Sequence, residues 1–138
     1  MKTKKSWAEK VRTSKAHEVK PAPMDIAGMK AGQIMLVPSP QIIEEFIRTI
    51  PKGQSMDVRT FRHALAQKYG ADVGCPITTG ILLRMVAEAA YEACAQGTDI
   101  DEVTPVWRVL DSSSPTTNKL TCGPEFITLQ REREGMPR

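Results

Sequence analysis

The chain has 138 residues, enough for one core with an extension but not for two independent domains. Apolar residues make up 41 % and charged residues 25 %, which are globular values, and no run approaches the roughly 20 apolar residues that span a bilayer. The net charge is +3, but residues 1–20 hold seven cations against two carboxylates, so this segment carries +5 and the rest of the chain −2.

That basic segment reads as an N-terminal arm, either a source of sequence-independent phosphate contacts or a solvated tail. Its opening, MKTKKSWAEKV, has the charge of a secretory n-region but is followed by no apolar stretch, so a cytoplasmic location and no membrane partner are expected. Ser6 to Glu9 has capping-box spacing and starts a short helix striped by Trp7 and Val11. Pro21, Pro23, Gly28 and Gly32 mark a linker, so residues 1–30 are expected to be arm and linker and residues 31–138 the folded domain.

Gln33 to Val37 is a short apolar run of strand type. Ser39-Pro40 then starts a helix in which Ile42, Ile43, Phe46, Ile47 and Ile50 recur with helical period. Pro51-Lys52-Gly53 stops it, and Asp57 caps the next helix, striped by Phe61, Leu65 and Tyr69 and ended by Gly70. A third helix begins between Pro76 and Gly80 and runs to about Ala95, with Leu82, Met85, Val86, Ala89 and Ala93 on its expected buried face. Val106 to Leu110 has β-type residues and precedes a turn-rich stretch, Asp111 to Asn118, as a β-wing would. A last helix, Pro124 to about Glu134, is expected to bury Phe126, Ile127 and Leu129.

A supporting helix followed by two helices across a glycine-containing turn is the layout of a helix-turn-helix. The fold expected is therefore mainly α with a small β component, a winged helix-turn-helix domain with an N-terminal extension. Cys75, Cys94 and Cys122 form neither a CxxC pair nor a metal-ligand spacing, so no metal and no cofactor are expected. Cys75 directly precedes Pro76 and lies near the start of the third helix, where exposed peptide N–H groups favour a thiolate.

Four landmarks carry a resemblance. Ile50-Pro51-Lys52-Gly53 resembles an "IPxG" turn, and Asp57 to Leu65 a "TYGEIAxAL" helix. Thr104-Pro105-Val106-Trp107-Arg108-Val109 resembles "IPCHRV", while Cys122-Gly123-Pro124 and Leu129 to Gly135 resemble a glycine turn and a closing "LLxxEG" helix. In this order, over about residues 40–136, they are similar to the DNA-binding domain of O6-alkylguanine-DNA alkyltransferases and alkyltransferase-like proteins.

The resemblance implies a protein that binds double-stranded DNA through the minor groove and recognises alkylated bases for a repair partner. It places Val106 at the nucleophilic cysteine, Trp107 at the activating histidine and Glu134 at the relay glutamate. An indole N–H donates but cannot take a proton, so alkyl transfer is not expected at this position. Val58 stands at the phosphate-rotating tyrosine, Thr98 near the hinge asparagine, and no arginine opens the third helix.

Arg59, Arg62, Thr78, Thr79, Gly80 and Arg84 are the expected DNA contacts, with Glu88 as an alternative partner for Arg84. Glu88 and Glu92 on the same helix would repel phosphate if they faced it. Two alternatives stand beside this reading. One is a protein-interaction module on a winged-helix scaffold, and the other a cysteine-dependent alkyltransferase using Cys75 as nucleophile and His63 as base.

Overall fold

The computed structural model describes residues 5–138, so Lys2 and Lys4 of the basic arm lie outside the described residues. Ser6 starts α1 (Trp7–Arg12), its hydroxyl accepting from the Glu9 N–H at 3.1 Å. The stretch expected to be arm and linker is built into the body. Strand β1 (Glu18–Pro21) pairs antiparallel with β2 (Ile34–Val37), with Glu18 opposite Val37 and Pro21 opposite Ile34. Ala22, Met29 and Met35 form a small apolar cluster beneath this hairpin. The prolines and glycines of residues 21–32 thus shape a hairpin connection, with Ile26 and Met29 bridged at its tip.

Ser39 caps α2 (Pro40–Arg48) by accepting from the Ile42 N–H, and Ile42, Ile43 and Ile47 drive its inner face into the core. Asp57 caps α3 (Val58–Lys68) through the Thr60 N–H at 2.7 Å. A two-residue strand, β3 (Val73–Gly74), lies parallel to β2 and completes a three-stranded sheet in the order β1-β2-β3. The chain then enters α4 (Pro76–Ala95), where Pro76 occupies the first turn, the position at which a missing N–H costs nothing.

One principal core joins α2, α3, α4 and the C-terminal third, with Ile43, Ile47, Phe61, Leu65, Leu83, Val86, Val106, Leu110 and Ile127 fully enclosed. The helix α4 buries Leu82, Leu83, Val86, Ala87 and Ala90, while Met85, Ala89 and Ala93 lie at the margin of the expected face. The short helix α1 packs across α4.

Two expectations for the C-terminal third are corrected. Residues 106–108 form a 3-10 turn rather than a wing strand, and Val106, Trp107, Val109 and Leu110 are all buried. A strand with one solvated face needs alternation, and these neighbours have none. In the last helix, α5 (Glu125–Arg133), Ile127, Gln130 and Arg131 face inward, whereas Phe126 is half-buried and Leu129 exposed. The Arg131 guanidinium sets that orientation by donating to the carbonyls of Trp107 at 2.7 Å and Leu110 at 3.3 Å. The result is a mainly helical chain with a small sheet.

Candidate functional site

The N-terminal turns of α3 and α4 diverge to open a groove of about 690 Å³. Val58, Arg59 and Arg62 form one wall, and Ile77, Gly80, Ile81, Arg84 and Met85 form the floor and the other wall. Trp7 of α1 and the loop residues Ser114, Pro115, Thr116 and Lys119 close its ends. Four lining residues are cations and none is a carboxylate, which gives the groove a positive field.

The cations are held in different ways. Arg59, Arg62 and Lys119 make no ion pair among the described residues. Arg62 is directed by packing, since its stem crosses β3 so closely that a Cβ on Gly74 would come within 2.8 Å of Arg62 Cγ. Only glycine allows that approach. Arg84 lies 3.6 Å from Glu88, the partner one helical turn away, and its guanidinium stands 5.8 Å from the Trp7 ring centre. Lys10 approaches the same ring to 4.1 Å.

Glu88 and Glu92 do not face the groove. Glu88 is buried and accepts from the Thr121 backbone N–H and hydroxyl, at 3.2 and 2.8 Å. Glu92 accepts from the Trp7 and Ala8 N–H groups, where a carboxylate complements the positive end of α1. The repulsion expected from the sequence is therefore absorbed by internal contacts.

Of the expected contact residues, Arg59, Arg62, Gly80 and Arg84 line the groove, and Thr78 and Thr79 do not. Thr79 is only 1 % exposed and donates to the Cys75 carbonyl at 2.6 Å. Thr78 is half-buried beside Cys75, whose Sγ accepts from the Thr78 N–H. Hydroxyls in a helix satisfy nearby backbone groups in this way. The outward side chains are instead Ile77 and Ile81, 54 % and 61 % exposed. Their four-residue spacing, out of phase with Leu82, Leu83 and Val86, was the available signal.

The positions matched to an alkyl-transfer site form a closed junction. Val106 and Trp107 are 0 % and 3 % exposed. Trp107 Nε1 donates to Glu134 Oε2 at 2.7 Å, and Arg108 reaches both carboxylate oxygens at 3.0 Å. The Gly53 N–H adds a fourth donor at 2.9 Å. Burial alone would push the Glu134 carboxyl up, but Arg108, Gly53 and Trp107 outweigh it and hold the group below the usual carboxylate range. A shallow cleft of about 170 Å³ lies over Trp107, Arg108 and Glu134 and does not reach Val106.

Cys75 caps α4, and no hydrogen bond joins it to His63 among the described residues. His63 is exposed and lines a separate cleft of about 180 Å³ beside Arg59 and Arg62. Burial raises the thiol pKa of both Cys94 and Cys122, with Asp99 adding to the first and Glu88 to the second, so both favour the protonated form. No cluster of metal-ligating side chains occurs among the described residues, and no helix of the described chain is long and apolar enough to cross a membrane. Comparison with protein-family models, with curated proteins and with solved structures finds no match.

Proposed function

We propose that this chain is a non-catalytic DNA-binding protein in which α3 and α4 act as a helix-turn-helix and the loop 111–119 serves as the wing. The observation that carries this reading is the groove at the start of α4, lined by Arg59, Arg62, Arg84 and Lys119 with no carboxylate among its walls. Cations flanking an exposed helix end suit phosphates on both sides of a DNA groove. The sequence resemblance to O6-alkylguanine-DNA alkyltransferases favours the minor groove and implies recognition of alkylated bases on behalf of a repair partner. With Val106 and Trp107 enclosed, such recognition falls to the groove beside α4. Alkyl transfer through Cys75 draws no support, because its sulfur is engaged by Thr78 and no hydrogen bond joins it to His63 among the described residues.

A protein-interaction module is the second reading, favoured by the apolar exposure of Ile77 and Ile81. Titrating isotope-labelled protein with a short duplex and following backbone amide resonances separates the two. DNA binding is expected to move the amides of 58–62, 77–84 and 116–119. Perturbation confined to residues outside these segments, such as the exposed Tyr91 and Leu129, or none at millimolar duplex, would contradict the proposal.

A further inference from the structure

We infer that Ile77 and Ile81 act as an apolar wedge that enters the duplex between neighbouring base pairs and bends it, an inference that rests on the DNA-binding reading above. The two are among the most exposed large aliphatic side chains of the described residues, and they stand one turn apart among the residues that line the groove. Their position is fixed from behind. Thr79, Leu82 and Leu83 of the same turns are buried, so the helix cannot roll to hide the isoleucines without exposing its core face.

The surroundings select the occupant. Arg59 and Arg62 stand on one side of the pair, Arg84 follows Ile81 by three residues, and Lys119 closes the loop side. Aliphatic tips among cations, of which Arg59, Arg62 and Lys119 make no ion pair among the described residues, match a nucleic acid, which presents phosphates at its edges and apolar base faces between them. At Gly80, between the two isoleucines, a Cβ would meet open space apart from its own helix and chain neighbours, so a strand can approach the backbone closely there. Aliphatic wedges of this kind partly unstack a base step and kink the duplex. Such a protein would respond to how easily a step is deformed, a property read without hydrogen bonds to base edges.

The test uses the full chain and a duplex of about two helical turns, end-labelled for energy transfer and carrying 2-aminopurine at its central step. The wild-type protein is expected to shorten the end-to-end distance and raise 2-aminopurine emission on binding. Ile77→Ser/Ile81→Ser is expected to fold as the wild type does, because both side chains are exposed. At low salt it should still bind, weakened on the order of tenfold per isoleucine, and leave the duplex straight and stacked. A wild-type complex with straight, stacked DNA, or a double variant that bends it equally, would overturn the wedge while leaving the DNA-binding reading in place. Absence of wild-type binding at low salt would overturn both, and would turn attention to an acidic protein partner for the same patch.

Discussion

Glu134 is the point at which three distant stretches of chain meet, and its chemistry shows how single residues determine what this scaffold does. Its carboxylate holds the Trp107 indole, the Arg108 guanidinium and the Gly53 N–H together, while Arg108 also donates to the Ile50 carbonyl at 2.8 Å. The acceptor is permanently filled, so the group ties the IPKG turn to the C-terminal helix rather than orienting a base. Glu134→Gln is expected to cost about 2 kcal/mol at neutral pH, since it leaves a largely buried guanidinium without its counter-charge. Because the folded carboxyl is held below its ordinary value of 4.5, its contribution is complete above that pH and is lost as pH falls through the folded value. The gap between the two proteins in urea denaturation should therefore narrow as pH is lowered below 4.5. A gap that stays constant with pH would show that the ion pair is not its source. The donor-only nature of Trp107 was legible in the sequence. Its sharing of the Glu134 carboxylate with Arg108 and Gly53 was not, because that depends on bringing together residues 53, 107, 108 and 134. Thr79 teaches the converse, since a threonine that looks like a surface donor satisfies a carbonyl of its own helix turn.

Within the elements, α4 divides into a half that supports the core and a half that presents the groove. The groove-presenting half, at the start of the helix, departs from good helix chemistry at Gly80, which occupies a helical position with open space above it. Gly80→Ala is expected to raise stability by about 1 kcal/mol, the usual helix-propensity difference, and to weaken duplex binding by obstructing backbone approach. Denaturation and fluorescence anisotropy on one variant measure both. Lower stability would mean that Gly80 has a packing role, and unchanged affinity would place the DNA elsewhere. The starts of α2 and α3 were legible because each carried its own signal, Ser39-Pro40 and Asp57, whereas that of α4 was placed only between Pro76 and Gly80. Residues 106–110 were misread because β-branched composition was taken for a half-solvated strand, whereas every side chain there except Arg108 is buried. For β1 no local pattern was available, since all four of its residues are exposed and only pairing with β2 defines it.

At the scale of the whole molecule, the N-terminal segment contributes to the site as structure as well as charge. Trp7 forms one end of the groove, and α1 is anchored to α4 through Glu92, so deleting residues 1–20 would remove that end and most of β1 along with the cations. Neutralising the groove cations while keeping the chain intact isolates the electrostatic term. Arg59, Arg62 and Lys119 are the suitable set, because they line the groove and make no ion pair among the described residues. Each phosphate contact contributes close to one unit to the slope of log affinity against log salt concentration. The decisive measurement is that slope for duplex DNA with the wild type and with Arg59→Ala/Arg62→Ala/Lys119→Ala. The triple variant is expected to remain folded, bind more weakly at low salt and show a slope reduced by about 2 to 3. Equal affinity and an equal slope in the two proteins would contradict a DNA-binding role for the groove.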